Sequence, residues 1–166
     1  RVQIDVKVVP RKCIADPQMK LYQYTAIDEF SRMRFLYAYE EQSTYSSADF
    51  AMRVVKWFKR RGITVECIQT DNGFEFTNRF SPSKKDKPTL FESTLKKLGV
   101  RHKLIQPYTP RHNGKVERSH REDHNKFYSC HSFYSCHSFY SCADLPMRPL
   151  GWLSPIEFFK NFLQYH

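Results

Sequence analysis

No stretch of this 166-residue chain approaches the run of about 18 apolar residues that a membrane-spanning helix needs, so the sequence predicts no membrane partner. It also lacks the basic start, apolar stretch and small-residue cleavage site of an export signal. An initiator Met is missing, and Arg1 opens directly into strand-like sequence, as expected of a fragment of something longer. The 5 cysteines are an odd number without an export signal, which favours reduced thiols in a cytoplasmic compartment over a disulfide framework. Acid is scarce: 17 Asp and Glu stand against 27 Lys and Arg.

What is present points to a folded, basic domain. Hydrophobic residues make up 40% and aromatics 16%, enough to bury one core and to argue against disorder. The net charge of +10 suits a polyanionic partner, of which nucleic acid is the commonest. A basic soluble protein with no such partner is the plain alternative.

Val2, Ile4, Val6 and Val8 alternate with Gln3, Asp5 and Lys7, the period of a strand. Residues 21–30 and 33–40 predict two more strands joined in a hairpin about Ser31 and Arg32, so the first three strands form an antiparallel meander. Ser43 or Thr44 is placed to cap a helix reaching about Arg61 and ended by Gly62, with Phe50, Val54, Trp57 and Phe58 along its core face. Residues 63–70 predict a central strand buried on both faces. A helix from about Thr89 to Leu98, a strand at 100–105, a Pro-rich loop and a polar helix over about 113–126 follow. The sum is an α/β fold: a mixed sheet flanked by helices.

Three acids stand out. Asp5 lies mid-strand, where a charge must be paired, solvated or metal-bound. Asp71 ends the central strand and is followed by Asn72 and Gly73; sites are built at such strand ends, although Asp-Asn-Gly is also an ordinary turn. Glu117 falls early in the polar helix, where a lone Glu ordinarily complements the helix dipole.

Asp5 in a first strand, IDEFSR at 27–32, TDNGFEF at 70–76 and QPYTPRHNGKVER at 106–118 occur in this order. The pattern resembles the catalytic core of the DDE transposase and retroviral-integrase superfamily, nearest to bacterial insertion-sequence transposases. The resemblance covers about residues 1–128, and RPLGWLSPIEFF at 148–159 is similar to the family's closing segment. It implies a ribonuclease H-like fold with a five-stranded mixed sheet, and Asp5, Asp71 and Glu117 as catalytic carboxylates. It further implies two Mg²⁺ or Mn²⁺ ions, since hard oxygen donors suit them, with Asp5 bridging both. The implied reaction is hydrolysis of one DNA strand to leave a 3′-hydroxyl, which then joins to a target strand. Implied partners are double-stranded DNA at transposon ends and target, further copies of the chain, and upstream helix-turn-helix domains; the implied setting is the bacterial cytoplasm. The interval between Asp71 and Glu117 exceeds the family's usual one, consistent with an inserted polar loop, SPSKKDKP at 81–88.

Lys115, Arg118 and Arg121 are the leading candidates for phosphate contact, with Arg111 and His120 beside them; a solvated polar helix face is the alternative. Positions 117, 120, 121 and 124 are expected on one helical face. Asn113 is a cap or a group that orients a carboxylate, and Gly114 permits close backbone approach. Glu75, four residues after Asp71, is a further candidate near the site. Residues 127–142 read FYSCHS, FYSCHS, FYSC, a repeat in place of part of a charged family helix. Its Cys-x₅-Cys spacing argues against zinc. The expected organisation is a catalytic core over 1–126, the repeat over 127–142 and a closing segment over 143–166. The repeat leaves a second possibility, an inactive DNA-binding remnant of the same fold.

Overall fold

A computed structural model describes residues 1–14, 16, 18–106, 116–118, 120 and 121. Five strands, β1 (Val2–Val8), β2 (Tyr22–Asp28), β3 (Arg34–Tyr39), β4 (Cys67–Thr70) and β5 (Arg101–Leu104), form one sheet in the order β3-β2-β1-β4-β5. β1, β2 and β3 pair antiparallel, whereas β4 runs parallel to β1 and β5 parallel to β4. The expected meander and mixed sheet are both present.

The β2–β3 hairpin is tied by Asp28, whose Oδ2 accepts from the Ser31 N–H at 2.7 Å and from the Ser31 hydroxyl at 2.8 Å. Arg32 takes the turn's left-handed conformation at φ 62°. β4 is shorter than the sequence pattern suggests. Its parallel ladder with β1 starts only at Val2↔Ile68, because β1 itself begins at Val2 and offers residues 63–66 no partner. All four β4 residues are buried, as a central strand requires.

Helix α1 (Thr44–Lys59) starts at Ser43, whose side chain accepts from the Ser46 N–H. Helix α2 (Leu90–Lys97) starts in a capping box between Thr89 and Glu92. Gly62 and Gly99, at φ 74° and 67°, turn the chain out of these helices. α1 and α2 lie against one sheet face, where Phe50, Val54, Phe58, Phe91 and Leu95 meet Val2, Ile4, Tyr24 and Ile68. Removing a cap leaves helical N–H groups without acceptors. Thr89→Ala also strips the carbonyl of Phe76 of its donor at 2.9 Å. That variant is expected to lose about 1–2 kcal/mol, read as a lower denaturant midpoint at unchanged slope.

The opposite sheet face is polar, carrying Gln3, Asp5, Lys7, Gln23, Thr25 and Gln69. Residues 116–118, 120 and 121 are helical and cover part of it: Val116 is fully buried, and the backbone carbonyl of His120 accepts from Lys7 Nζ at 2.9 Å. Arg111, Asn113, Gly114, Lys115, the FYSCHS repeat and the segment over 143–166 lie outside the described residues. No helix among the described residues is long and apolar enough to cross a membrane. Cys13 and Cys67 are buried, and neither forms a disulfide among the described residues.

Candidate active site

The parallel arm of the sheet determines where the acids meet. β1 and β4 share the register Val2↔Ile68 and Gln3↔Gln69, so the same register continued two residues further sets Asp5 alongside Asp71. Asp5 also sits opposite Thr25 of β2. Its Oδ1 accepts from the Val6 N–H at 2.9 Å, and its Oδ2 lies 3.5 Å from His120 Nδ1. The other ring nitrogen, His120 Nε2, is 3.1 Å from Thr25 Oγ1.

Asp71 leaves β4 into a tight turn, with Oδ1 accepting from the Gly73 N–H at 3.1 Å. Two side chains hold this turn to β5. Asn72 Nδ2 donates to the carbonyl of Ile105 at 3.0 Å. The Thr70 hydroxyl donates to the carbonyl of Asp71 at 2.8 Å and lies 2.8 Å from His102 Nε2. A hydroxyl has one proton to give, so His102 must be the donor in the second bond. Burial lowers the His102 pKa, in keeping with a neutral ring carrying its hydrogen on Nε2.

Glu117 is exposed, on the helical segment that covers the polar face of the sheet. Arg118 and Arg121 are likewise exposed. His120 is not: its side chain is 11% exposed and turned inward with Val116, so the expected grouping of 117, 120 and 121 on one face divides in two. From that position His120 faces Asp5 instead of solvent.

Asp5 registers the crowding of negative charge. Its pKa is pushed up to about 7, first by burial, then by the charge of Asp71, with Glu117 and Glu75 adding smaller contributions against the Val6 N–H. Glu75 is a site residue that the sequence marks only by its spacing from Asp71. It is 3% exposed, its Oε1 accepts from Gln42 Nε2 at 2.7 Å, and its Oε2 has no hydrogen-bond partner among the described residues. Burial and Asp71 raise its pKa as well. Gly73 explains why the turn needs glycine: a Cβ there would stand 2.6 Å from Glu75 Oε2. The sequence contains no signal for that contact, because it arises between a turn and the side chain beneath it.

Asp71 and Glu117 lie close enough to Asp5 to raise its cost of ionisation, and the donors of all three are hard oxygens. That chemistry fits a divalent cation such as Mg²⁺ or Mn²⁺. Among the described residues, no three His, Cys, Asp or Glu side chains already converge as a ligand set.

A five-stranded mixed sheet in the order β3-β2-β1-β4-β5, its first three strands antiparallel, defines the class as a ribonuclease H-like fold of the integrase catalytic-core type. The family model described as "Integrase core domain" matches residues 1–110, and a second model of the same description matches residues 98–141. The chain belongs to the integrase core domain family. The "Putative integrase ORF3" of Spiroplasma virus SpV1-C74 is 36% identical over 123 residues, which is 72% of this chain and 33% of that protein. The chain therefore spans about one third of the length of that relative. The crystal structure of the catalytic core domain of BIV integrase superposes with a TM-score of 0.61 at 19% identity, over 99% of this chain and 97% of that one. A chain of the simian T-cell lymphotropic virus intasome, solved with the PP2A regulatory subunit B56 gamma, gives 0.58 at 19% identity, over 89% and 44%. At that identity the two structures speak for the fold.

Proposed function

We propose that this chain is the catalytic core of a metal-dependent DNA strand-transfer enzyme, cutting phosphodiesters at DNA ends and joining them to target DNA. The observation that carries this reading is the parallel pairing of β1 with β4, whose register leads Asp5 toward the Asp71 turn on the sheet face that the helical segment with Glu117 covers. Burial there, and then the charge of Asp71, raise the proton affinity of Asp5. Asp5, Asp71 and Glu117 are the residues that would hold the cations. Two divalent ions bound there supply charge neutralisation at the attacking and leaving oxygens of an in-line displacement. The chain's own contribution is placement. β1 and β4 hold Asp5 and Asp71 side by side, and the Thr70–His102 pair with the Asn72–Ile105 bond keeps the Asp71 turn from moving. Exposed Arg118 and Arg121 flank Glu117, where phosphate contacts orient a duplex without reading its sequence. Joining two DNA ends calls for more than one copy of the chain, so the active assembly is a multimer on double-stranded DNA.

The inactive-remnant reading draws on the FYSCHS repeat over 127–142, which stands in place of part of the family's charged helix. A single experiment separates the two. Supercoiled plasmid is incubated with the chain and Mn²⁺, beside a sample with excess chelator. Nicking that requires the ion is the expected result. Nicking that persists in chelator overturns metal dependence, and DNA binding without nicking establishes the remnant.

A further inference from the structure

Beside the carboxylates, the surface opens into a groove of about 830 Å³ that has no part in the chemistry described so far. One wall is the segment from Thr77 to Pro88, the other is the start of α1, and Asn72, next to Asp71, is part of the lining. The outer wall is a built loop: Asn78 Nδ2 donates to the carbonyl of Lys87 at 2.8 Å, and the Lys87 N–H bonds the carbonyl of Lys84 at 2.9 Å. Three large rings stand out into the groove with no core to fill, Phe74 at 67%, Phe80 at 62% and Tyr45 at 70% exposure. No residue lining it is acidic and Lys84 supplies a positive charge; on the flank of the same loop Arg79, Lys85 and Lys87 stand against Asp86, with Glu92 of α2 beside them. Clustered exposed rings mark a binding surface, and rings interleaved with cations and amide or hydroxyl groups are the chemistry that holds unpaired bases and their phosphates.

We propose that this groove binds an unpaired stretch of a DNA strand leading away from the carboxylates, with bases stacked on Phe74 and Phe80 and a phosphate at Lys84. The proposal rests on the DNA-processing reading above and adds a subsite to it. At about 830 Å³ the groove has the volume of a small-ligand cleft, room for a few nucleotides. Its acid-free lining sets it apart from the crowded carboxylates next door, and Lys84 is the one charge in it, where a phosphate would sit.

The test compares binding of the whole chain to a blunt duplex and to the same duplex with a short single-stranded extension carrying a fluorescent adenine analogue. The wild type is expected to prefer the extended duplex by about tenfold and to quench the analogue through stacking. Phe74→Ala/Phe80→Ala is expected to bring that ratio to about one and abolish the quenching, while the blunt duplex still binds through long-range charge. Phe30→Ala, at an exposed ring on the distant β2–β3 turn, controls for general loss of apolar surface and is expected to keep the ratio. Equal ratios in wild type and double variant, with both duplexes bound, overturn the groove alone. A double variant that keeps the ratio but changes the sedimentation of the free chain makes the groove a contact between copies and also overturns it. Failure of the wild type to bind either duplex removes the DNA reading itself.

Discussion

Asp5→Asn is expected to abolish ion-dependent nicking and, in the absence of metal, to make the protein more stable than the wild type. The two effects share one cause. In the folded chain the Asp5 pKa is pushed up to about 7, against an ordinary 3.8, so folding holds a proton that the unfolded chain releases. For a carboxylate shifted in this direction, the folded state is favoured below about pH 4, loses ground as pH rises to about 7, and stays at its lowest above that. The shift corresponds to a ceiling of roughly 4 kcal/mol; residual access of water to a side chain that is 18% exposed brings the expectation to about 2 kcal/mol. Asn keeps the shape, can still accept from the Val6 N–H, and carries no charge to be repelled by Asp71. At pH 8 the metal-free variant should therefore melt about 4–8 °C above the wild type. Adding Mn²⁺ should raise the melting temperature of the wild type and leave that of the variant nearly unchanged. Nicking should fall at least a thousandfold, the scale expected when a charge-neutralising site is lost. A variant that melts below the wild type at pH 8, or that nicks normally, removes Asp5 from the site.

The second large effect belongs to a glycine. A Cβ on residue 73 would lie 2.6, 2.7 and 2.8 Å from the three carboxyl atoms of Glu75, well inside contact distance. Elsewhere a long side chain would swing aside. Here the carboxylate is 3% exposed and bonded to Gln42 at 2.7 Å, so retreat costs that bond or shifts the turn that aims Asp71. Gly73→Ala is expected to destabilise the chain by about 2–3 kcal/mol, the usual cost of overpacking, and to cut nicking by ten- to a hundredfold through a displaced Asp71. Adding Glu75→Ala to Gly73→Ala removes the obstruction. The pair should show a coupling of at least about 1 kcal/mol in unfolding free energy. Strict additivity would mean that the two side chains do not compete for the same space.

Much of this fold is legible along the chain, and the reasons are local. Alternation in β1 reflects a strand with an apolar face on α1 and a polar face beneath residues 116–118, 120 and 121. Ser43 and Thr89 announce their helices because a side-chain acceptor is needed where N–H groups have no partner one turn back. β4 is misjudged in length for the opposite reason. Its residues suit a strand from 63 onward, but a ladder also needs a neighbour, and β1 begins too late to provide one. The same distinction runs through the site. Asp5 and Asp71 can be picked out by type, position and motif; His120 is legible only as one more cation among several. Packing alone turns it inward to Asp5 and Thr25 while Arg118 and Arg121 stay in water.

By itself, the sequence determined the order of strands and helices, the basic character and the candidate acids, because capping, periodicity and charge are properties of a few neighbouring residues. Only the tertiary structure decided which acid carries the strain, that Gly73 is required by the carboxylate of Glu75, and that Asn72 helps to line an acid-free aromatic groove. The first depends on the parallel pairing that brings β1 beside β4, the second on how the Asp71 turn folds over a carboxylate that Gln42 holds in place, and the third on the start of α1 lying beside the segment after β4; no local pattern encodes these distances.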